Sequence, residues 1–571
     1  MDTYNKIIFF CAFYFSFVSL VAQPELINNE FRSPLQIPLV LAGTFGELRT
    51  NHFHSGIDIK TKGKEGHAII AIGDGYVSRV KVKPGGYGKA LYLTHSNGYV
   101  SVYAHLRNFH DSIDDYLLNN QYINKSYPMD LFPDSGRFFF NKGDTIGWSG
   151  NTGSSSAPHL HFEIRDTKTQ EVINPLLFGF KVKDTSAPVI KNLFVYPIDS
   201  TSNINGKNDT LIVSVGNNLE NSFQMLSQNQ NITVNGPIGF GLEVYDCLDN
   251  APNKNGIYSL ELFIDSFLVY RHDMDHFSFS ETRYINSLMD YHAKKNSGLR
   301  PQKSFLDSNN KLSIYKNLKD EGLLLFDESS SHQALYKVRD VSGNCSTLEF
   351  NFTSDTSLIE VYIPKKGSFF SYSKENAFLM DNFNLRIPEY SLYNDLYFSY
   401  SSEPSSNEFI CDIHHIHRDE TPIHFSYEIS LKVNIDIEYK DKAVICRLEN
   451  MGQFFCFSSD WKDGFLTANT KRFGDYTALI DTIPPKLKKK SFSHNLTNAS
   501  MISFEVEDEL SGLASYNAFV DGEWILLAHD PKNKMLVHYF DGHISSGSHM
   551  LEIIVKDYVN NEKRLELQFV R

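Results

Sequence analysis

The stretch Pro158-His159-Leu160-His161-Phe162-Glu163-Ile164-Arg165 decides the fold of the first part of the chain. Its apolar and β-branched residues favour a strand, in which successive side chains point to opposite faces. His159 and His161 therefore project to one face, and Leu160 and Phe162 to the other. Each imidazole can bind a metal ion, or one can bind it while the other transfers protons. An isolated His-x-His pair is more simply two surface histidines, so this interpretation needs a partner elsewhere.

A second half-site lies upstream, in Phe53-His54-Ser55-Gly56-Ile57-Asp58-Ile59. It offers an imidazole nitrogen from His54 and a carboxylate oxygen from Asp58, and zinc binds both kinds of ligand. With one histidine of the downstream pair, these residues make three protein ligands and leave a fourth position open. That pattern is typical of a catalytic rather than a structural zinc site. Between the half-sites, Tyr103-Ala104-His105-Leu106 places one more histidine in a strand-like setting.

These three segments, in this order, resemble the lysostaphin/LytM-type zinc endopeptidases, which cut peptidoglycan cross-bridges. The similarity covers about residues 38 to 180 and includes the turn-and-strand framework of that family. The framework segments are Asp74-Gly75-Tyr76-Val77, Gly86-Tyr87-Gly88, Lys142 to Gly147 and Ser149 to Gly153. The resemblance implies Zn²⁺ as the cofactor, with His54, Asp58 and His161 as its ligands. It also implies that His105 and His159 handle protons and transition-state charge, and the sequence leaves open which of them is the base.

The chain is too long to form one domain. It has 571 residues, whereas single cores stop growing at roughly 250–300 residues. We predict a mainly β protein, with a lysostaphin-type antiparallel β-sheet peptidase domain at 23–183 followed by β-sandwich, immunoglobulin-like domains. The net charge is −14 and no run is rich in lysine or arginine, which argues against a nucleic-acid partner.

Residues 1–22 have the pattern of a signal peptide. Lys6 supplies a positive charge, residues 7–21 are almost continuously apolar, and Ala22-Gln23 is a plausible cleavage point. The alternative is an uncleaved membrane anchor, because the apolar run is close to the shortest span of about 17 residues. The small Ala22 and the lack of strong flanking charges favour cleavage. The sequence therefore predicts an exported protein of the periplasm or cell envelope, with no transmembrane segment after cleavage.

Residues 107–141 form a longer connection than is usual in the family that the chain resembles, and we expect an enlarged loop there. It begins beside His105, so it could wall or cover the substrate groove, since long loops in compact domains are often functional. A surface insertion without a role is an equally weighted interpretation.

The region after the peptidase domain contains a repeated pattern. Asp184-Thr185-Ser186-Ala187-Pro188 and Asp481-Thr482-Ile483-Pro484-Pro485 look like two copies of one linker. Later segments also match in pairs: Gly256 to Ser259 with Gly512 to Ser515, Phe263 to Asp265 with Phe519 to Asp521, and Val338 to Asn344 with Val555 to Asn561. Short alternating strands with Asp, Asn and Gly turns predict immunoglobulin-like β-sandwiches. We place them at 186–355, with a mildly helical insertion around 281–299, and at 482–571, on either side of a β-rich middle domain at 356–480.

Five cysteines remain after signal cleavage, namely Cys247, Cys345, Cys411, Cys446 and Cys456. An exported protein can pair them, and an odd count leaves at least one free. We favour a disulfide between Cys247 and Cys345, because both would lie at the edge of the first sandwich.

Two further features of the later domains could bind metals, but their residues have simpler explanations. Cys411 to His417, with His424 nearby, is more simply an exposed strand pair than a second metal site. The acidic segments 246–250 and 508–512 lack the spacing of a known calcium loop. Turn chemistry alone explains their Asp, Ser and Gly residues, so the sequence does not predict calcium.

We therefore expect a secreted zinc metalloendopeptidase that hydrolyses peptide cross-links of peptidoglycan, with a cell-envelope protein as a further candidate partner for its C-terminal β domains. One alternative is a non-catalytic scaffold that binds and activates other cell-wall hydrolases. The intact set of five residues argues against it, because a scaffold has no need for His54, Asp58 and His161 together. Another alternative is an adhesion or anchoring protein that works through its β modules.

Overall fold

The computed structural model describes residues 26–27, 31–219, 221–227, 231–249, 251–358, 366–404 and 409–571. The predicted signal peptide, residues 1–22, lies outside them. Among the described residues, no helix is both long and apolar enough to cross a membrane. The chain is mainly β, as predicted.

The first part of the chain is built on an antiparallel sheet in the order β1-β2-β11-β6-β5-β4-β8, with a smaller sheet β3-β10-β7 beside it. Its elements are β1 Leu41–Gly43, β2 Ile57–Lys60, β3 Ala68–Ile70, β4 Gly75–Val82, β5 Lys89–His95, β6 Tyr99–Ala104, β7 Leu106–Phe109, α1 Asp111–Asn124, β8 Met129–Leu131, β9 Phe139–Phe140, β10 Thr145–Ser149, β11 His159–Asp166 and β12 Val172–Ile173. Leu160, Phe162 and Ile164 of β11 are buried in the main core. Their alternation with His159 and His161 puts the two histidines on the opposite face, as the strand period requires.

Residues 107–141 are not an extended loop. They contain helix α1 and strands β8 and β9, both of which pair with β4 at the edge of the large sheet. Ile113, Leu117 and Gln121 are buried along one side of α1. The expectation of a loop was wrong. Ile113, Leu117 and Gln121 lie four residues apart, which places them on one face of a helix, and that face is buried.

The first module, residues 186–355, packs two layers of strands over one core. Its elements are β13 Val189–Pro197, β14 Asn203–Ile204, β15 Leu211–Leu219, β16 Ser222–Met225, β17 Thr233–Asn235, β18 Ile238–Tyr245, β19 Ser259–Ile264, β20 Phe267–Asp273, β21 His276–Phe277, α2 Ile285–Leu288, α3 Tyr291–Ser297, β22 Gln302–Lys303, β23 Tyr315–Leu318, β24 Ser330–Arg339 and β25 Cys345–Ser354. Strand β15 pairs with β13 through its first half and with β16 through its second half, so it connects the two layers. Strand β21 pairs with β12 and thereby joins the module to the large sheet of the first part of the chain.

The middle domain, residues 356–480, has two five-stranded sheets, β27-β28-β32-β36-β35 and β30-β31-β37-β33-β34, and a pair β26-β29. The strands are β26 Ser368–Phe370, β27 Asn376–Leu379, β28 Phe383–Ile387, β29 Leu396–Phe398, β30 Tyr400–Glu403, β31 Ile413–Ile416, β32 Tyr427–Leu431, β33 Ala443–Leu448, β34 Phe454–Phe457, β35 Asp460–Lys462, β36 Phe465–Thr470 and β37 Gly474–Ile480. Three of its histidines hydrogen-bond different side chains: His414 bonds Tyr400, His415 bonds Asp475, and His424 bonds Tyr393.

The last module, residues 482–571, has two four-stranded sheets over one core. The strands are β38 Lys486–Ser491, β39 Met501–Glu507, β40 Leu513–Val520, β41 Glu523–Ile525, β42 Ala528–Asp530, β43 Met535–Tyr539, β44 Ser548–Asp557 and β45 Glu562–Val570. Its order β45-β44-β40-β41 matches β25-β24-β19-β20 of the first module. The two modules therefore share this sheet order as well as the paired sequence segments.

The disulfide joins a different pair of cysteines from the one we favoured. Cys446 and Cys456 are bonded, whereas Cys247, Cys345 and Cys411 are free thiols. Cys446 on β33 lies directly across from Cys456 on β34, so both side chains lie on the same face of the hairpin. The prediction of a Cys247–Cys345 bridge was wrong because it was inferred from the nearness of two segments, without a strand register that aligned the two side chains.

Candidate metal centre

The candidate metal ligands lie on adjacent strands and on the turn before them. In the sheet register, His161 of β11 lies opposite Asp58 of β2 on one side and opposite Ala104 of β6 on the other. His54 lies four residues before Asp58, in the segment that enters β2. The three side chains are 2%, 5% and 3% exposed, respectively, for His54, Asp58 and His161. Because the three side chains are buried, bulk water has little access to their ligand atoms.

Three ligand atoms converge in this cluster. His54 Nε2 lies 3.0 Å from Asp58 Oδ1 and 3.0 Å from His161 Nδ1, and His161 Nδ1 lies 2.9 Å from the same carboxylate oxygen. Two imidazole nitrogens and a carboxylate oxygen are a donor set that suits zinc. The residues present therefore fit the ion that the sequence predicts.

The outer nitrogen of each histidine has a hydrogen-bond acceptor. His54 Nδ1 lies 2.7 Å from the Thr44 carbonyl oxygen, and His161 Nε2 lies 2.8 Å from Glu163 Oε1. An imidazole that donates from one nitrogen presents the lone pair of the other, so these contacts select the tautomers that metal ligation requires. The arrangement is typical of histidines that bind metals.

Glu163 is fully buried and is held by several donors. Arg165 donates to Glu163 Oε2 from Nε at 2.8 Å, and Ser55 donates to Oε1 at 2.6 Å. Tyr87 also donates its hydroxyl to Oε1. Burial raises the pKa of Glu163, but the charge of Arg165 and the hydrogen bonds outweigh it and hold the pKa far below its usual range. A charged carboxylate therefore stands behind His161.

Asp58 is also kept ionised. Burial raises its pKa, but the charge of His54 and the hydrogen bonds from the three histidines bring the pKa well below its usual value. Arg49 donates to Asp58 Oδ2 at 2.6 Å, on the side away from His54 and His161. For His161, burial lowers the pKa, but the hydrogen bonds to Asp58 and Glu163 outweigh it and raise the pKa to about 9. Metal binding at this ring must therefore displace a proton.

His105 and His159 lie together beside the cluster, with ring centroids 4.7 Å apart. His159 Nε2 is 3.3 Å from Asp58 Oδ1, while its Nδ1 lies 2.9 Å from the Ala157 carbonyl oxygen. His105 Nδ1 lies 2.9 Å from the Thr152 carbonyl oxygen. Burial, together with the nearby His161 and His159, lowers the pKa of His105 to about 3. His105 is therefore a neutral imidazole at neutral pH.

The backbone at His105 has a φ of 61°. This left-handed conformation is uncommon for residues other than glycine and breaks the run between β6 and β7. The loop that receives His105 is equally constrained: Gly153 has a φ of 72°, and a Cβ there would lie 2.3 Å from the Gly88 nitrogen. Close packing of these two glycine turns positions Thr152, the hydrogen-bond acceptor of His105.

The first module supports the segment that carries His54. Thr282 accepts a hydrogen bond at 2.8 Å from the Phe53 backbone nitrogen, and Asn286 donates to Asn51 at 3.0 Å. Phe45 and Phe53 also share a buried apolar cluster with the helical insertion of that module. The first module therefore packs against the segment that carries His54.

The last module contacts the catalytic domain on the other side of the site. Lys532 donates to the carbonyl oxygens of Asn151 and, at 2.9 Å, Ser155. On α1, the Tyr122 ring stacks on His543 at 3.8 Å, and its hydroxyl donates to Asp541 at 2.5 Å. A cavity of about 660 Å³ lies between the two domains. Among the residues that line it are Lys89, Arg107, Thr152, Gly153, Lys532 and Tyr539.

The structure thus brings together all five residues singled out in the sequence, His54, Asp58, His105, His159 and His161. Sequence reasoning gave no role to Glu163 or Arg165, although the strand period places both on the face of His159 and His161. It also missed Arg49 and Thr44. Thr44 acts through its backbone carbonyl, which leaves no signature in a sequence.

Comparison with known proteins identifies two regions of the chain. Residues 52–129 match the model of Peptidase family M23, and residues 367–481 match a Zu5-like domain. The chain carries an M23 peptidase domain. The matched Zu5-like region covers most of the middle domain, so the M23 domain is accompanied by further β domains.

Curated relatives are similar to part of this chain. DD-carboxypeptidase/endopeptidase Mpg of Neisseria meningitidis is 31% identical over 118 residues, which are 21% of this chain and 21% of that protein. An uncharacterized metalloprotease of Haemophilus influenzae is 31% identical over 161 residues, 27% of this chain and 28% of that protein. The matches thus span only 21% to 28% of these relatives.

Solved structures with lower identity are also similar to part of this chain. The catalytic domain of a prophage-encoded M23 protein from Enterococcus faecalis is 21% identical and covers 26% of this chain and 99% of its own, with a TM-score of 0.20. The catalytic domain of lysostaphin from Staphylococcus simulans is 22% identical and covers 24% of this chain and 91% of its own, with a TM-score of 0.19.

Proposed function

We propose that this protein is an exported zinc metalloendopeptidase that hydrolyses peptide cross-links of bacterial peptidoglycan. The observation that carries the proposal is the convergence of His54 Nε2, Asp58 Oδ1 and His161 Nδ1, with both outer imidazole nitrogens held by acceptors. The M23 match and the curated endopeptidase and metalloprotease relatives support a peptidase reaction. A binding scaffold would not require three buried, mutually oriented ligands.

His54, Asp58 and His161 would hold Zn²⁺. When bound, zinc supplies a Lewis acid and a water whose pKa is lowered to about 7. The remaining chemistry belongs to the residues around the site. Glu163 keeps His161 in one orientation and tautomer, while Arg165, Ser55 and Tyr87 fix Glu163 in turn. The ligands are therefore preorganised by the sheet.

His105 and His159 would act on the substrate side. Each has its Nδ1 against a backbone carbonyl, of Thr152 and Ala157 respectively, which leaves Nε2 as the nitrogen for the reacting groups. A neutral His105 can accept a proton or a hydrogen bond at neutral pH. His159 is the more exposed of the pair, and its Nε2 lies 3.3 Å from Asp58 Oδ1, next to the candidate metal ligands. The two roles, proton transfer and charge stabilisation, are to be separated by single variants.

The groove beside this pair has the dimensions of a binding site for part of a polymer. The cavity of about 660 Å³ continues from Thr152 and Gly153 along α1 to the last module. Lysine and arginine side chains line it together with aspartates. Such a mixed polar wall suits a peptide that carries both amino and carboxylate groups.

The test is digestion of purified peptidoglycan sacculi, with the soluble fragments identified by mass spectrometry. Wild-type protein is expected to release cross-link cleavage products, and His161→Ala is expected to release none. His52→Ala is the matched control, because this exposed histidine lies two residues before His54 and hydrogen-bonds only locally, to the Thr50 carbonyl. Loss of digestion in His161→Ala alone supports the proposal. Wild-type protein that binds zinc but digests no sacculi would contradict the assigned substrate, and protein that neither binds zinc nor digests would favour the scaffold alternative.

A further inference from the structure

Two clusters of three aspartates occupy equivalent places in the two similar modules. The first aspartate cluster is Asp184, Asp246 and Asp340, and the second is Asp481, Asp508 and Asp557. In each, one carboxylate oxygen from every member lies within 4.8 Å of the others. Both clusters therefore place three carboxylates around one small volume, far from the catalytic cluster in sequence.

The construction of the two clusters is the same. The first member comes from a linker, Asp184 before the first module and Asp481 before the last. The third member ends a long strand, β24 or β44, at a hairpin turn. In that turn Asn344 donates to Asp340 Oδ2 at 2.7 Å and to the Asp184 carbonyl oxygen at 3.4 Å. Asn561 makes the same two bonds, to Asp557 Oδ2 at 2.7 Å and to the Asp481 carbonyl oxygen at 2.9 Å.

Turn hydrogen bonds account for Asp340 and Asp557 but not for Asp246. Asp246 is 2% exposed, and among the described residues no donor satisfies its Oδ1. Asp246 and Asn255 exchange both backbone hydrogen bonds, so their side chains lie on the same face of that bridge. Asn255 is 3% exposed, and its Oδ1 likewise has no donor within the described residues. Asp184 Oδ2 also has no hydrogen-bond partner among the described residues, so three oxygens at the first cluster lack a donor.

The second cluster has a comparable extra oxygen. The backbone nitrogen of Ser511 donates to Asp481 Oδ2 at 3.1 Å, which places this serine against the cluster. Its hydroxyl oxygen is buried and has no partner among the residues that the structure describes. Each module therefore adds a neutral side-chain oxygen to its three carboxylates.

The lysine next to the first cluster does not neutralise its negative charge. Lys183, which precedes Asp184, pairs with Asp249 at 3.6 Å instead. Burial, with the charges of Asp340 and Asp184, raises the pKa of Asp246 to about 8, and burial raises that of Asp340 to about 7. Asp246 and Asp340 are buried and Asp184 is half-buried. Such carboxylates without a cation are costly, because burial of a charge requires a partner.

We propose that each aspartate cluster is a calcium site that fixes a linker to the module that follows it. All of the donors are oxygens, which calcium prefers, whereas zinc favours nitrogen and sulfur. Three carboxylates and one neutral oxygen supply half or more of the six to eight ligands that calcium takes, and backbone carbonyls and water can supply the rest. The site differs from the expectation drawn from sequence, because the linker aspartate lies 62 positions before Asp246 and no local loop spacing reveals it.

The consequence concerns the arrangement of the domains. Calcium at the first cluster would tie the linker after the catalytic domain to the first module, and calcium at the second would tie the middle domain to the last module. The last module contacts the loop at residues 151–155, which lies beside His105 and His159, through Lys532. Calcium would therefore stabilise the placement of that module at the catalytic groove, without contacting the substrate.

The test is equilibrium dialysis of the zinc-loaded full chain against radioactive calcium in metal-free buffer. Wild-type protein is expected to bind two calcium ions, Asp246→Asn one, Asp508→Asn one and the double variant none. The matched controls are Asp265→Asn and Asp521→Asn, since these aspartates occupy equivalent hairpin turns of the two modules and bond His332 and His549 outside the clusters. Both controls should retain two ions.

A second measurement uses wild-type protein alone, in case a variant does not fold. Calcium is expected to slow proteolysis at the linkers around residues 184–188 and 481–485, whereas magnesium at the same concentration protects them less. Absence of calcium binding at millimolar concentration, or two ions bound in every variant, would overturn the proposal. Equal binding of magnesium at both clusters would overturn the assignment to calcium.

Discussion

Glu163 carries the charge behind His161, and its contribution can be measured separately from ligation. In Glu163→Gln the hydrogen-bond acceptor can persist, but the negative charge is lost and Arg165 is left without its partner. Loss of such an outer partner typically costs 10–100-fold in metal affinity. We therefore expect a 10–100-fold weaker affinity for zinc, measured by competition with a fluorescent chelator. Glu171→Gln, at a glutamate that contacts Thr169 rather than the cluster, is the control, and unchanged affinity in Glu163→Gln would refute the assigned role.

His272 provides a prediction about pH that does not involve the metal site. It is fully buried on β20, its Nδ1 lies 3.0 Å from the Tyr270 hydroxyl, and burial lowers its pKa to about 3. The unfolded chain binds a proton at this residue below about pH 6.5 and the folded chain does not, so stability must fall as the pH drops from 6.5 toward 3. The slope is about 1.4 kcal/mol per pH unit.

His272→Gln removes this titration and keeps a group that can bond Tyr270. The urea midpoint of the first module, followed in the full chain by amide deuterium uptake of its strands, should therefore fall less between pH 7 and pH 5 in the variant than in wild-type protein. An identical fall in both proteins would show that His272 is not the group responsible.

At the residue scale, the sequence pointed to the five clustered residues more readily than to the residues that support them. His159, His161 and Asp58 could be predicted from the sequence, because side chains on a strand alternate with a period of two and only a few residue types bind zinc. Glu163 and Arg165 follow from the same period and could have been predicted. Thr44 could not, because any residue supplies a carbonyl, and Ser55 and Tyr87 reach Glu163 only after the strands pair.

At the scale of elements, the turn around Gly153 holds Thr152 against His105. Gly153→Ala would put a Cβ 2.3 Å from the Gly88 nitrogen, at a φ of 72°. We expect the variant to retain zinc but to lose most cross-link cleavage, because Thr152 would no longer hold His105. The readouts are zinc content and release of fragments from sacculi.

Gly63→Ala is the matched control for that experiment. Gly63 has nearly the same φ, 71°, but a Cβ there meets no atom within 4 Å. Both variants therefore carry the same backbone strain, and only one carries the steric clash. Equal cleavage by the two variants would contradict the account of this turn.

Elements were predicted unevenly, for physical reasons. The strands of the large sheet could be predicted, because one face is buried and apolar residues therefore alternate with polar ones. Helix α1 was not predicted although Ile113, Leu117 and Gln121 have helical spacing, because two apolar residues and one glutamine are too few to distinguish a helix face from a polar connection. The Cys446–Cys456 bond depends on the register of β33 and β34, and register is set by tertiary packing.

At the scale of the whole molecule, Lys532 connects the last module to the active-site loop. In Lys532→Ala the carbonyls of Asn151 and Ser155 lose their shared donor, and Ser155 Oγ lies 3.1 Å from His159 Nδ1. We expect faster amide deuterium uptake in residues 149–157 of the variant, measured by mass spectrometry. Lys534→Ala is the control, because Lys534 pairs with Glu507 inside its own module, and equal uptake in the two variants would contradict the proposed contact.

Zinc content per chain is the measurement that tests the central claim most directly. Full-length protein purified without chelators should contain one zinc ion per chain by inductively coupled plasma mass spectrometry. His54→Ala, Asp58→Ala and His161→Ala should each lose it, because each removes one of three converging ligand atoms, whereas His52→Ala should retain it. Wild-type protein without zinc, or zinc retained in all three ligand variants, would contradict the metal centre described here.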